Sequence, residues 1–273
     1  MSPSDNITDD NMESPLEKFA DPMLRVGSSD NEPIAEEYRK LKSVIVQTAR
    51  KKGFPYTFMV ASSIGNEGKS ITAVNLALNL AKEHENSVVL IDADLRKPSL
   101  AKYLNIKAEL GLGDCLRGTA NLCDALVHVM GDNLLLLPAG ARISNPVELI
   151  SAQRMKDLLA ELRETYPDAF IIIDTSPLLL FAEGRILSAM VDGVLFVLMA
   201  GGASKQLIAE ALESIREAEI LGLVCNKATE VILHRGYGYY NYYYYNYYDN
   251  YHRKDSGKGA RNKPGIFSKI FRP

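Results

Sequence analysis

The chain has only three cysteines, Cys115, Cys123 and Cys225, too few and too scattered for a disulfide framework or a zinc site, and no CxxC pair occurs. Ordinary thiols in a reducing compartment are the reading that follows. It also lacks any apolar run approaching the roughly 18 residues that a bilayer span requires. Its start, with Asp5, Asp9, Asp10 and Glu13, has neither the basic opening nor the apolar core of a signal peptide. A cytoplasmic chain is expected, with any membrane role supplied by a partner or a surface contact. The net charge of −3 is too small for a general attraction to nucleic acid, and no nucleic-acid partner is expected.

What is present is a chain of 273 residues, 47% hydrophobic and 24% charged, enough for one large α/β domain with a substantial core. Its charge is unevenly spread: residues 1–37 are strongly acidic and residues 253–273 strongly basic, a pattern of solvated tails around a folded body. The expected division is a disordered acidic segment at 1–33, a folded domain at 34–235, a tyrosine-rich segment at 236–251 and a basic tail at 252–273.

Ile34, Tyr38, Leu41, Val44, Ile45 and Thr48 recur at helical spacing, and Lys51-Lys-Gly-Phe-Pro55 should end that helix. Apolar runs predict strands at Tyr56–Ala61, Val88–Asp92, Leu134–Pro138, Ala169–Asp174, Val194–Leu198 and Leu221–Cys225. Helices are expected from the loop after the first strand to about His84, and over Pro146–Thr165, Glu183–Met190 and Ser204–Glu219. Continuous rather than alternating hydrophobicity implies strands covered on both faces. The predicted class is α/β, a mainly parallel sheet with helices on both faces, whose strand order the pattern leaves open.

Between the first strand and the next helix lies Ser62-Ser-Ile-Gly-Asn-Glu-Gly-Lys-Ser70. A strand, a glycine-bearing loop ending in Gly-Lys-Ser and a helix make a P-loop, so the P-loop NTPase fold is expected. Backbone N–H groups of such a loop surround phosphate, and the helix N-terminus favours negative charge. The nucleotide-binding set is then Gly65, Asn66, Glu67, Gly68, Lys69, Ser70 and Ile71, with Lys69 bridging β- and γ-phosphates and the Ser70 hydroxyl on Mg²⁺. The strict pattern GxxxxGK[ST] would put glycine where this chain has Ser63.

Asp92 and Asp94 close the second predicted strand, and Asp174 closes Ile171-Ile-Ile-Asp174 in the form of a Walker B element. Carboxylates at strand ends beside a P-loop can bind Mg²⁺ or orient an attacking hydroxyl. An aspartate there can instead only cap the next helix. Asn226-Lys-Ala-Thr229 lacks the aspartate of NKxD, which argues for ATP over GTP.

The loop Ser62–Ser70, Leu90-Ile-Asp-Ala-Asp-Leu-Arg-Lys-Pro98 and Ile171-Ile-Ile-Asp-Thr-Ser-Pro177 resemble, in order and spacing, the Walker A, A′ and B motifs of bacterial tyrosine kinases. These enzymes regulate capsule and exopolysaccharide synthesis. In their Walker B region, usually DxPP, Ser176 here replaces the first proline. Glu36-Glu-Tyr-Arg39-Lys-Leu-Lys42 resembles the family's ExxRxxR oligomerisation motif, with Lys42 in place of the second arginine.

The resemblance implies ATP and Mg²⁺ as cofactors, Lys69, Asp92, Asp94 and Asp174 as catalytic residues, and Ser70, Asp92 and Asp174 as metal ligands. Asp92, or in second place Asp94, would orient the tyrosine hydroxyl, and Asn226 would touch the adenine. It further implies a homo-oligomer formed through Glu36, Arg39 and Lys42. A membrane polysaccharide co-polymerase would serve as activator and recruit the chain to the inner face of the membrane.

The acceptors would be Tyr237, Tyr239, Tyr240, Tyr242, Tyr243, Tyr244, Tyr245, Tyr247, Tyr248 and Tyr251, which resemble the family's autophosphorylated cluster. A Gly/Asn-punctuated segment beyond the last strand can reach an active site without unfolding a core. Phosphorylation adds roughly −1.5 to −2 charges per tyrosine, so successive phosphates are expected to reverse the sign of the basic C-terminus and loosen the oligomer. Farther on, Ile266, Phe267, Ile270 and Phe271 with Lys263, Lys269 and Arg272 suit a weak contact with an anionic membrane surface. The competing reading is a non-kinase positioning ATPase of the partitioning type, whose signature lysine is replaced here by Ile64.

Overall fold

A computed structural model of the chain describes residues 24, 33–54, 56–82, 87–151 and 153–228. The tyrosine cluster and the basic tail lie outside the described residues, as does the 1–33 segment apart from Leu24 and Pro33.

Helix α1 (Pro33–Lys52) closes at Gly53, whose φ of 99° lets its N–H reach Ala49 O at 2.8 Å. Strand β1 (Tyr56–Ser62) follows, then α2 (Lys69–Ala81) and β2 (Val88–Asp92). Three short helices, α3 (Leu100–Tyr103), α4 (Leu112–Arg117) and α5 (Leu122–Ala125), lead to β3 (Val127–His128) and β4 (Leu134–Leu137). Then come α6 (Val147–Ser151), α7 (Gln153–Thr165), β5 (Phe170–Asp174), α8 (Glu183–Ser188), β6 (Gly193–Met199), α9 (Lys205–Glu213) and β7 (Ile220–Asn226).

The sheet order is β3-β4-β2-β5-β1-β6-β7, parallel throughout except for the antiparallel β3–β4 pair at one edge. Side chains alternate between two cores. Met59, Val89, Ile91, Ile171 and Ile173 face α4, α7 and α8, while Phe58, Val60, Leu90, Phe170 and Ile172 face α1 and α2. Each such side chain taken fully out of water contributes roughly 1.5–3 kcal/mol. The apolar runs of the inner strands are therefore read twice, once from each face, as expected of a parallel sheet between helical layers.

Two expectations change. The run Leu221–Cys225 was expected to be covered on both faces, but β7 is the outermost strand: Leu223 is 58% exposed, and Cys225 and Ile220 are exposed too. A sheet edge has a neighbour strand on one side only: Leu221 and Val224 still pack against the core under α1 and α2, while Leu223 and Cys225 stay exposed. The expected single helix Pro146–Thr165 is two elements, α6 and α7. The short pieces α3, α4, α5 and β3 went unpredicted because two to six residues carry no measurable period.

Candidate active site

Strand β1 delivers the loop, and its backbone is fixed from the far side: Leu178 and Leu179 N–H donate to Ser62 O and Ser63 O at 3.0 and 3.1 Å. Gly65 and Asn66 form the exposed tip, Asn66 with φ 66° in the left-handed region that asparagine tolerates. Gly68, φ 97°, begins α2 with no side-chain cap, and the helix has no acidic residue in its first turn. The first N–H groups of a 13-residue helix are thus left for an anion. A side chain at 68 would collide with the Asn226 amide.

Lys69, 8% exposed, lies at the centre. Its Nζ donates to Ser70 Oγ at 3.0 Å, Asp94 Oδ2 at 3.4 Å and Asp174 Oδ1 at 3.4 Å. Burial by itself would lower the lysine pKa, but the charges of Asp174, Asp94 and Asp92 outweigh it and hold it above the ordinary value. The strand register brings the acids together: Asp92 at the end of β2 pairs with Asp174 at the end of β5, which also pairs with Val60 of β1.

The two aspartates after β2 take different parts. Asp92, fully buried, accepts Ser99 N–H and Leu100 N–H at 3.0 Å each through Oδ2 and Asp94 N–H at 3.3 Å through Oδ1, so it caps α3. Burial, then repulsion from Asp174, raises its pKa to about 7 against the pull of those amides and Lys69. Burial likewise raises Asp174. Asp94, not Asp92, is the one turned to Lys69, and its Oδ1 accepts Lys97 N–H at 3.0 Å. Asn226 places its Nδ2 on Glu67 O at 3.1 Å, beside the loop. Glu36, Arg39 and Lys42 follow one another along α1, where Arg39 Nε donates to Glu36 at 2.7 Å.

Arg96 had no assigned role in the sequence, and its partner Glu183 gave no signal, since an acid in the first turn of a helix is commonplace. Arg96 Nε and Nη2 meet Glu183 Oε1 at 2.9 and 2.8 Å, Nη1 meets Ser144 O at 3.1 Å, and the guanidinium lies 4.5 Å from the centre of the Phe181 ring. Three loops around the site are joined by one side chain. Glu183 is 1% exposed and its other oxygen has no partner among the described residues, so Arg96→Ala should cost about 3 kcal/mol in denaturant unfolding. Arg96→Lys, which keeps charge but not the fork, should recover only part of it.

The sequence profile of the CobQ/CobB/MinD/ParA nucleotide binding domain matches residues 58–232. The tyrosine-protein kinase YwqD of Bacillus subtilis (strain 168) is 32% identical over 208 residues, 76% of this chain and 86% of that protein. The chain belongs to the bacterial tyrosine-protein kinase family. The succinoglycan biosynthesis transport protein ExoP of Rhizobium meliloti (strain 1021) is 30% identical over 173 residues, 62% of this chain but 22% of that protein. The crystal structure of the chimerical protein CapA2B2 superposes with a TM-score of 0.68 at 26% identity, covering 74% of this chain and 88% of that one.

The donor set suits a tyrosine-kinase nucleotide site. The uncapped α2 amides and Lys69 face the loop, and nothing stands within 4 Å of where a Gly65 side chain would begin. Among the described residues no three His, Cys, Asp or Glu side chains form a metal cluster. Asp92 and Asp174 at neighbouring strand ends and the Ser70 hydroxyl beside Lys69 are oxygen donors of the kind Mg²⁺ takes, one or two carboxylates completed by waters and phosphate oxygens.

Proposed function

We propose that this chain transfers phosphate from ATP to the tyrosines at 237–251 of its own kind. The observation that carries the reading is Lys69, buried between Asp94 and Asp174 at the uncapped start of α2. ATP, bound with Mg²⁺, supplies the phosphoryl group. Lys69 and the α2 amides present fixed positive charge to the phosphates and need not reorganise as charge develops in transfer. Ser70, Asp92 and Asp174 would hold the metal. Asp92, with Asp94 as its alternative, orients the acceptor hydroxyl; the amides of Ser99 and Leu100 already hold the Asp92 carboxylate in one orientation. Asn226, at the rim of the loop, would approach the base.

The name of ExoP supports a role in exopolysaccharide synthesis, and capsule synthesis belongs to the same proposal. ExoP is a transport protein of succinoglycan synthesis, of which this chain matches only a part. A membrane co-polymerase as activator, recruitment to the inner membrane face and self-association through Glu36, Arg39 and Lys42 belong to the same proposal. Among the described residues no helix is long and apolar enough to cross a membrane.

Incubating the full chain with γ-labelled ATP and Mg²⁺ and mapping the label tests the reading. Label is expected on tyrosines between 237 and 251. Release of free phosphate with no label on protein would select the positioning ATPase instead.

A further inference from the structure

Glu67 is wholly buried, although the loop tip beside it, Gly65 and Asn66, is exposed. Its Oε2 accepts the Ser63 hydroxyl at 2.6 Å and Ile64 N–H at 3.0 Å, and its Oε1 accepts Met199 N–H at 3.4 Å. Its own carbonyl accepts the Asn226 side-chain amide at 3.1 Å. We infer that the Glu67 side chain is a strut that sets the shape of the phosphate loop, and that Ser63 is built to work with it. The inference rests on reading the loop as a nucleotide site and names a positioning residue for it.

A buried carboxyl is costly unless donors surround it. Here the donors come from the start of the loop, Ser63 and Ile64, and from Met199, the last residue of β6. The Ser63–Glu67 bond closes a five-residue ring across the base of the loop with the tip turned outward, and among the described residues no hydrogen bond takes up the Gly65 or Asn66 N–H. Met199 ends β6 and Asn226 ends β7, and Ala200 N–H donates to Asn226 O at 2.9 Å. The loop is thereby tied to two strand ends as well as to β1.

This accounts for the serine where the strict P-loop pattern has glycine. Ser63 is fully buried, its hydroxyl pointing into the protein toward Glu67 and away from the tip. Restoring the glycine would remove a donor from a buried carboxyl and free the base of the loop. Ser63→Gly should therefore weaken nucleotide binding, although it brings the sequence closer to the motif.

The test measures ADP and ATP affinity by titration calorimetry on the full chain, with thermal unfolding alongside. Glu67→Ala is expected to weaken both nucleotides about tenfold, the size of a lost hydrogen bond to a charged group, and Ser63→Gly several-fold. Glu67→Gln, which keeps the volume and an acceptor oxygen, should recover part of the loss. Ser63→Gly combined with Glu67→Ala should be no worse than Glu67→Ala alone. At saturating ATP, tyrosine labelling by Glu67→Ala should fall much less than its KM rises.

Unchanged affinity in folded Glu67→Ala, with only a lower melting temperature, would overturn the inference by making Glu67 merely structural. So would Ser63→Gly binding as tightly as the parent, or losses that add in the double variant. If Glu67→Ala does not fold, Ser63→Gly and Glu67→Gln decide the matter. Affinity is read without transfer, so a parent chain that binds ATP but labels no tyrosine refutes the kinase reading and leaves this one standing.

Discussion

Lys69→Met is expected to lower tyrosine labelling by at least roughly 10² to 10³-fold, the cost of removing one preorganised charge from a developing transition state. The variant should not be as stable as the parent. Lys69 contacts two carboxylates that are almost entirely out of water, Asp94 and Asp174, and breaking a buried ion pair by removing one partner costs about 3–5 kcal/mol. Asp174, whose pKa burial raises, can relieve the loss by taking up a proton, so the deficit should be smaller at pH 5 than at pH 8. Adding Asp94→Asn to Lys69→Met should restore much of the stability and none of the labelling. Denaturant unfolding at the two pH values checks this; equal stability at both would mean that the lysine does not neutralise these acids.

Asp92→Asn is the second large effect, and it has two parts. Burial raises the Asp92 pKa from 3.8 to about 7, so between those values the folded chain holds a proton that the unfolded chain releases. Stability from this group is full below the unfolded value and is lost as pH rises through the folded one. Asparagine cannot titrate, so the variant's decline over this window should be shallower by about one proton, roughly 1.4 kcal/mol per pH unit. Labelling should fall by roughly 10²-fold, the lower end of what general acid–base groups contribute. Melting curves from pH 4 to 8 read the first part and initial rates the second. A slope unchanged by the substitution would place the titration elsewhere, with Asp174 the next candidate.

Much of this was legible from short patterns. Ile34 to Thr48 at helical spacing located α1, and the run into Gly-Lys-Ser located the β1–loop–α2 unit, because period and turn chemistry are local properties. Asp92, Asp94 and Asp174 were visible as acids that end apolar strands. The pattern could not say which of the first two faces Lys69. That depends on how the chain after β2 folds back, with the amides of Ser99 and Leu100 claiming Asp92 and leaving Asp94 for the lysine. The misreading of β7 has the same origin: an apolar run reports that residues prefer burial, and only the assembled sheet decides which strand is left at its edge.

The sequence by itself determined the class of the fold, the loop with its lysine and the acids available to it, since these rest on residue type and spacing over a few turns of chain. Tertiary structure alone decided that β5 enters between β1 and β2. A parallel crossover can return to a sheet at more than one distance from its start, and only the packing of both helical layers selects one. That choice sets Asp174 beside Asp92 and within reach of Lys69. It likewise decided that Glu67 turns inward to Ser63 and Met199 and that Arg96 meets Glu183. Those partners lie far apart in sequence or carry no pattern of their own, and they are found only once the chain has closed on itself.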